Sequence, residues 1–379
     1  MLKIAAVLAL SVGITFSAPV LAALPLRSTS HLPEGLGSDD QIWGQFGDRT
    51  ALLAAIDQSL RYLRTTAAVQ HYQKYPVPGV TRDRVLRSLQ RFRQLLVKAK
   101  SAAELKAAVK REFIFYQSVG RDNQGTVAFT GYFEPTYTAS RVRTAEYRYP
   151  LYRAPVGFQK WATPQPTRAQ LEGIDGLQAA KGPLRGLELV WLRDRLEAFL
   201  VQVQGSARLK LADGSVMTVG YAGKTKYPYT SIGKELVKAG KFRLEDLNLP
   251  VLIQYFREHP EDLNTYLPRN QSFVFFRETK GAPATGNLGV PVTAERSIAT
   301  DKSLMPPGAL ALIQTRLPYP SASGQLEQRL VSRYTLDQDT GSAIKGPGRV
   351  DIFMGTGQQA QERAGLINAS GQLYYLLLK

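Results

Sequence analysis

The first part of the chain has the spacing of apolar residues that is typical of amphipathic helices. Between residues 50 and 117 apolar side chains recur every three or four positions, as at Leu52 and Ile56. Thr81 and Ser101 each stand just before such a run, where a hydroxyl side chain caps a helix, and a glutamate three residues after Ser101 matches a capping box. We therefore predict a helical scaffold over residues 50–117.

After Gly125 the pattern changes to short apolar or alternating runs, which predict strands. Asp213 and Gly214 form a dipeptide typical of a tight hairpin turn between two of these runs. One helical segment interrupts the strands at 231–260, and the remainder of the chain to Leu378 is expected to form short strands between turns rich in glycine and proline. The predicted strands cover residues 126–133, 200–211, 216–221 and 270–276.

The N-terminus has the pattern of a secretory signal peptide over residues 1–22. Lys3 provides a positive charge, an apolar run at 4–16 follows, and small residues place the cleavage site before Ala23. The run is short for a membrane span, and an uncleaved anchor is the alternative. We expect an exported chain, periplasmic or in the cell envelope. Residues 24–47 are expected to be an exposed leader, because proline, glycine and serine are frequent there.

Composition limits the chemistry that the chain can use. There is no cysteine, which excludes disulfides, thiolate catalysis and lipid attachment to a cysteine. The three histidines lie far apart without metal-ligand spacing, so we expect no metal and no cofactor. The formal net charge is +17, or +16 after removal of the one lysine in the signal segment (17 − 1), which favours encounter with anionic envelope polymers. Nucleic acid is the competing anionic partner, but no basic block or nucleic-acid motif supports it.

One segment near the C-terminus, DTGSAIKGPGRVDIF at 339–353, suggests acid/base chemistry. Asp339 and Asp351 flank a turn rich in glycine and proline, and Ile352 and Phe353 follow the second carboxyl group. A carboxyl group fixed on a strand beside apolar neighbours has a raised pKa, and a general acid needs a pKa near neutral pH. The alternative is that both aspartates cap turns, which is common for this residue type.

Eight motifs in this chain together resemble one enzyme family, the membrane-bound lytic transglycosylase A (MltA) family of peptidoglycan-cleaving enzymes. The resemblance covers about two-thirds of the chain, from about residue 125 onward. In chain order the motifs are GYFEP at 131–135, VQVQGS at 201–206, GYAGK at 220–224, YTSIGK at 229–234, NQSFVFF at 270–276, RSIATD at 296–301, PPG at 306–308 and the segment at 339–353.

The resemblance implies a mainly β fold with N-terminal helices, of the α+β class. Its centre would be a double-psi β-barrel that is interrupted by a second, inserted β-rich domain. The barrel domain would comprise residues 23–135 plus 277–379, and the inserted domain residues 136–276, with a glycan groove between them. Periodicity alone does not reveal the insertion.

The resemblance also implies a lytic transglycosylase, a lyase that cleaves the β-1,4 bond between N-acetylmuramic acid and N-acetylglucosamine without water. The muramyl C6 hydroxyl attacks C1 and closes a 1,6-anhydro ring, so one carboxyl group can serve first as acid and then as base, whereas a hydrolase usually needs two. By match to the family's motif Asp351 is the acid/base, and Asp301 and Asp339 are supporting or purely structural. Ser342 stands where the family usually has glycine, which would strain the loop if the position required a positive φ.

Glycan binding is expected to use polar side chains and aromatic faces within the matched motifs. For each candidate, packing in a strand or hydrogen bonding in a turn is an equally good interpretation. Glu134 also lies in a matched motif, but the family is variable at this position and we predict no catalytic role for it. The candidate binding residues are Tyr132, Gln202, Gln204, Ser206, Tyr221, Lys224, Ser231 and Lys345.

Three other functions stay open from the sequence. The chain could be a β-1,4-glycan hydrolase on the same barrel, with Asp339 or Asp301 as the second carboxylate. It could be a non-catalytic cell-wall-binding module in which Asp351 is only structural, or an exported nucleic-acid binder. The expected partner is the peptidoglycan glycan strand, with no nucleic acid, and the expected state is a monomer. Membrane association would then be peripheral, without a lipid anchor.

Overall fold

The computed structural model describes residues 24–30, 32–43 and 47–379. The predicted signal peptide at 1–22 lies outside the described residues. Among the residues that are described, no helix combines the length and the apolar character that a membrane span requires.

Fourteen strands and ten α-helices make up the described part of the chain. The strands are β1 Leu26–Thr29, β2 Phe113–Ser118, β3 Val127–Glu134, β4 Thr136–Ser140, β5 Tyr149–Tyr152, β6 Glu188–Leu192, β7 Ser206–Leu211, β8 Val216–Lys224, β9 Val274–Glu278, β10 Ser297–Ala299, β11 Leu310–Pro320, β12 Leu326–Asp339, β13 Arg349–Thr356 and β14 Asn368–Leu378. The helices are α1 Arg49–Leu63, α2 Thr66–Gln73, α3 Arg82–Lys98, α4 Ala102–Glu112, α5 Arg168–Glu172, α6 Arg195–Gln204, α7 Ile232–Lys238, α8 Leu249–Glu258, α9 Leu263–Tyr266 and α10 Gln358–Gly365.

Six strands close into a barrel in the order β3, β13, β10, β12, β11, β14 and back to β3. The pairs β3–β13 and β10–β12 are parallel, and the other pairs are antiparallel. Strand β14 closes the ring with its first half, where Asn368 pairs with Thr130, and continues beside β2 with its second half. Closure leaves the ring without an open edge, since every strand has two neighbours.

The second sheet contains β4 to β9 in the order β5-β6-β4-β7-β8-β9 and has its own apolar core. Its inner positions alternate along β7, where Ala207, Leu209 and Leu211 are buried. The helices α6 to α9 pack in a further apolar cluster beside it. The closed barrel, the N-terminal helices and this second β unit confirm the predicted fold class.

The N-terminal helices pack on the barrel as predicted. Leu52 and Ile56, two of the apolar residues at helical spacing, are fully buried. The predicted caps are also present, because the Thr81 hydroxyl and the Ser101 hydroxyl each accept from a backbone N–H at 3.2 Å. The prediction of helix up to residue 117 is wrong at its end, because β2 begins at Phe113. The second half of β14 needs a strand partner on that edge, and β2 supplies it.

The prediction that residues 24–47 are an exposed leader is also wrong for the part that is described. Strand β1 pairs antiparallel with β2, and Leu26 and Leu36 are buried. Asp39 is fully buried and accepts hydrogen bonds from Arg296 at 2.5 Å and from Arg333 at 3.4 Å. A segment rich in proline and glycine has irregular backbone, but its few apolar residues and one aspartate hold it against the barrel.

The strand predicted over 200–211 is wrong in its first half, because residues up to Gln204 belong to helix α6. Asp194 caps that helix by accepting from the N–H of Leu196 at 2.6 Å, and Gly205 ends it with φ of +83°. The alternating letters of 201–204 therefore mislead, since the caps on both sides determine a helix. The C-terminal strands are also longer than predicted, with 11 residues in β11, 14 in β12 and 11 in β14, because they form the barrel wall.

Candidate active site

Asp351 lies in the barrel strand β13, between β3 and β10. Its backbone pairs with Thr130 on one side and with Ala299 on the other. The Thr130 hydroxyl donates to Asp351 Oδ1 at 2.8 Å, and Arg349 Nη2 donates to the same hydroxyl oxygen at 2.9 Å. Because Thr130 accepts from the guanidinium, its proton is directed to the carboxyl group, and Asp351 is held in one orientation.

Burial raises the pKa of Asp351 to about 6. The hydrogen bond from Thr130 and the charge of Arg349 oppose this shift, and the negative charge of Asp339 adds to it. The residue retains partial contact with solvent although protein surrounds its carboxyl group. With a pKa of about 6, roughly a tenth of the molecules carry the proton at pH 7, so the group can both donate and accept a proton.

Asp339 ends strand β12 beside this site. The Tyr132 hydroxyl donates to its Oδ2 at 2.8 Å, and the backbone N–H groups of Asn287 and Thr340 donate to its Oδ1 at 2.7 and 2.8 Å. Burial raises the pKa of Asp339, and these hydrogen bonds oppose the increase. The ring of Tyr132 packs on Phe353 with centroids 5.2 Å apart. Asp339 therefore fixes Tyr132 and places a second carboxyl group within electrostatic range of the first.

Asp301 has a different environment. Its Oδ1 accepts from the hydroxyl and the N–H of Ser303 at 2.7 and 3.1 Å, and its Oδ2 accepts from the N–H of Gly346 at 2.9 Å. Burial raises the pKa of Asp301, but these hydrogen bonds and the nearby Lys345 outweigh it, so the net shift is downward. Asp301 connects the turn after β10 to the loop between β12 and β13.

Two cavities meet along the loop that follows β12, and we call them together the groove. The smaller cavity, of about 120 Å³, contains Asp351, and the larger, of about 490 Å³, contains Asp339. Asp301 lines neither of them. Residues of the barrel loop and of the second β unit line both cavities, so the groove lies between these two parts. The residues common to both cavities are Gln202, Val203, Val274, Gly341 and Ser342.

Seven of the eight candidate binding residues line the larger cavity: Tyr132, Gln202, Gln204, Ser206, Tyr221, Lys224 and Lys345. The eighth, Ser231, caps α7 by accepting from the N–H of Lys234 at 3.3 Å. Burial lowers the pKa of Lys224, and the charge of Lys345, which lines the same cavity, lowers it further. Ser342 does not have a positive φ, so serine at this position strains no backbone.

Glu134 also lines the larger cavity, but its carboxylate has protein partners. The Thr356 hydroxyl donates to it at 2.8 Å, and Arg208 lies 3.7 Å from the same oxygen. The residue is almost fully buried.

Several residues of the site were not found from the sequence. Thr130 and Arg349 orient Asp351, and Arg168 and Asn270 line the smaller cavity beside it. Asn270 is in one of the matched motifs and Thr130 immediately precedes another, so these two stretches gave a signal for the region. No local pattern identifies Arg168, whose contacts with the cavity wall are with residues far along the chain.

The site combines a buried carboxyl group that can exchange a proton with an extended polar groove beside it. This combination is typical of an enzyme that cleaves a polymer by acid/base catalysis. Two family models match the chain, the MltA specific insert domain over residues 128–277 and the 3D domain over residues 296–377.

Relatives and solved structures agree with these family models. The membrane-bound lytic murein transglycosylase A of Escherichia coli (strain K12) is 33% identical over 263 residues, which is 69% of this chain and 68% of that protein. The structure of E. coli MltA with bound chitohexaose has a TM-score of 0.69 at 26% identity and covers 93% of this chain and 94% of that one. The structure of the membrane-bound lytic murein transglycosylase from Agrobacterium tumefaciens has a TM-score of 0.66 at 26% identity. It covers 87% of this chain and 93% of that one. This chain belongs to the MltA family, which confirms the resemblance seen in the motifs.

Proposed function

We propose that this chain is an exported murein lytic transglycosylase. It would cleave the β-1,4 bond between N-acetylmuramic acid and N-acetylglucosamine and form 1,6-anhydromuramyl products. The observation that carries the proposal is the Asp351 carboxyl group, which is surrounded by protein at the side of a groove and has a pKa of about 6. Membership of the MltA family supports the same reaction.

The reaction needs one group that gives a proton and then takes one. Protonated Asp351 donates to the bridging oxygen as its bond to the muramyl C1 breaks. The resulting carboxylate accepts the proton of the C6 hydroxyl as that oxygen bonds to C1, which closes the anhydro ring and restores the acid. Thr130 occupies Oδ1, and no described residue donates to Oδ2, so Oδ2 is the oxygen that we assign to proton exchange with the glycan.

We assign supporting roles to the other two aspartates. Asp339 raises the pKa of Asp351 through its negative charge and holds Tyr132 at the wall of the larger cavity. Asp301 holds the loop that separates Asp339 from Asp351 through its bond with the Gly346 N–H. Neither role requires these carboxyl groups to touch the scissile bond.

The domain organisation is part of the same proposal. The barrel domain would comprise residues 23–135 plus 277–379 and the inserted domain residues 136–276. The composition of the two sheets supports this division, since β4 to β8 come from the second segment and all barrel strands come from the first. A glycan between the domains would contact Gln202 and Tyr221 on one side and Ser342 on the other.

Location and partners follow from the reaction. The substrate would be the peptidoglycan strand in the periplasm or cell envelope, and we expect a monomer that binds no nucleic acid. The signal-peptide pattern and the mature charge of +16 (17 − 1) support encounter with an anionic wall polymer. Membrane association would not use a lipid attached to cysteine, because the chain has no cysteine.

A hydrolase is the second candidate, because Asp339 provides another carboxyl group in the groove. Against it, three donors already occupy the Asp339 oxygens, and a base must be free to accept a proton from water. Asp301 is less suited still, since its oxygens are also occupied and it lies outside both cavities.

Digestion of purified murein sacculi, followed by mass analysis of the fragments, tests the proposal. We expect products lighter by one water than hydrolysis products and without a reducing end. Asp351→Asn, which keeps the shape of the side chain, should abolish them. Reducing-end products from the parent protein would favour the hydrolase, and undiminished anhydro products from the variant would exclude Asp351 as the acid. Binding without any release, from parent and variant alike, would indicate a wall-binding module.

A further inference from the structure

A buried arginine organises the wall of the smaller cavity. Arg168 is fully buried between the rings of Phe199 and Phe273, with its guanidinium carbon 5.2 and 5.1 Å from their centroids. Its Nη1 donates to Glu172 at 3.1 Å. Its Nη2 donates to Gln202 Oε1 at 2.6 Å, and Nε donates to the backbone oxygen of residue 270 at 3.0 Å. Nη2 also donates to the backbone oxygen of Ser272 at 2.8 Å, so this arginine holds three residues of the cavity wall at once.

Two side-chain amides, those of Gln202 and Asn270, face the smaller cavity with their orientation fixed. Gln202 Oε1 accepts from Arg168 and, at 3.5 Å, from the N–H of Val274. Because a guanidinium can only donate, the amide oxygen must face it, and Nε2 must point away. Asn270 Oδ1 accepts from the N–H of Thr230 at 3.2 Å, which fixes its Nδ2 in the same manner.

Both NH2 groups lack a protein acceptor within the part of the chain that the structure describes. Gln202 is 7% exposed and Asn270 is 3% exposed, yet both line the cavity that contains Asp351. Neither NH2 group is sealed from the cavity, so each is free to donate to a ligand that enters it and supplies a carbonyl oxygen.

The rest of the wall is mostly apolar. Phe199, Val274 and Ile344 line the same cavity. A matching ligand group is therefore small and uncharged, with one strong acceptor and one apolar end. An acetamido group has these properties, because its carbonyl oxygen has two lone pairs and its methyl group can pack on apolar side chains.

We infer that the smaller cavity binds an acetamido group of the sugar next to the scissile bond. The carbonyl oxygen accepts from Gln202 Nε2 and Asn270 Nδ2, and the methyl group contacts the apolar wall. The inference rests on the proposed function for the nature of the ligand, a glycan of N-acetylated sugars. It adds that the sugar beside Asp351 is recognised through its C2 substituent, so that a glycan with a hydroxyl there leaves both donors unpaired.

Calorimetric binding of two neutral hexasaccharides tests this inference. Chitohexaose carries an acetamido group on every sugar, and cellohexaose carries a hydroxyl instead. The titrations use full-length protein with Asp351→Asn, so that no turnover occurs and no charge at Asp351 affects the result. We expect this protein to bind chitohexaose more tightly than cellohexaose.

The test variants are Gln202→Glu and Asn270→Asp. Each keeps the oxygen that accepts from Arg168 or Thr230 but removes the NH2 donor. We expect each to weaken chitohexaose binding about three- to tenfold, the range for one lost hydrogen bond, and to weaken cellohexaose binding less, so that the ratio of the two affinities falls. Gln361→Glu is the control: it is the same change on helix α10, and this residue lines neither cavity of the groove. It should leave the ratio of the two affinities unchanged.

Two results would overturn the inference. One is equal affinity of the Asp351→Asn protein for both sugars, and the other is an unchanged affinity ratio in both test variants. Far-UV circular dichroism confirms that each variant is folded. The outcome is separable from the proposed reaction, because an inert protein can still prefer acetylated sugars, and an active one that forms anhydro products can show no preference.

Discussion

Replacing Thr130 with valine should move the pH dependence of cleavage upward. The Thr130 hydroxyl donates to Asp351 Oδ1 at 2.8 Å, and such a bond stabilises the ionised carboxylate more than the neutral acid. Valine has nearly the same shape and lacks the donor. Loss of the bond therefore raises the pKa of Asp351 above its present value of about 6.

The magnitude follows from the strength of one hydrogen bond to a charged group, which is about 1.5–3 kcal/mol. The lower end applies here, because Asp351 is in partial contact with solvent. At about 1.4 kcal/mol per pKa unit, the shift is about one unit, to a pKa of about 7. The first step needs the protonated acid, so activity should extend about one pH unit further into the alkaline range.

The assay is the release of anhydromuramyl fragments from sacculi, measured as kcat/KM between pH 5 and pH 9. The alkaline limb of the Thr130→Val profile should lie about one unit above that of the parent protein. Thr130→Ser retains the hydroxyl and should keep the parental limb. A Thr130→Val limb that stays in place or moves to lower pH would refute the role given to this hydroxyl.

Three further changes have distinct expected outcomes. Asp339→Asn removes a negative charge that raises the pKa of Asp351, so the alkaline limb of the same pH profile should move down; an upward move would contradict this. Asp301→Ala removes three hydrogen bonds that hold the loop after β12 and should weaken chitohexaose binding in calorimetry at least threefold, whereas unaltered binding would mean that the loop needs no such support. Asp39→Ala removes one of the two carboxylates that pair with the buried Arg296, and Asp48 remains as the other. It should lower the free energy of unfolding by about 2 kcal/mol in urea titrations, the range for lost hydrogen bonds to a charged group. A loss below about 1 kcal/mol would count against tight packing of this segment.

Features determined by neighbouring residues could be predicted from the sequence. The caps at Thr81 and Ser101 depend on a hydroxyl and the N–H three residues later, so both helix starts were found. The alternation in VQVQ is typical of a strand, but the cap at Asp194 starts a helix that runs through these residues to Gln204. The packing of Asp39 was missed, because its partner Arg296 lies far along the chain.

In the site, too, features carried by neighbouring residues could be predicted, and contacts between distant segments could not. The motif around Asp351 identified the carboxyl group and its loop, and motif residues supplied most of the side chains that line the larger cavity. Thr130 was not found, because its contact with Asp351 depends on the parallel pairing of β3 with β13. Arg168 was not found either, since it acts on Gln202 from a different element and no local pattern marks a buried cation.

Strand β14 has a consequence for how the protein comes to be active. It is the last strand along the chain, yet its first half joins β3 to complete the ring in which Asp351 is held. Pairings between such distant segments form late, since a long loop must be closed first. A chain in which β14 has not yet paired with β3 therefore lacks the ring that orients the acid. Proton transfer by Asp351 in its fixed orientation becomes possible only once this late pairing has formed.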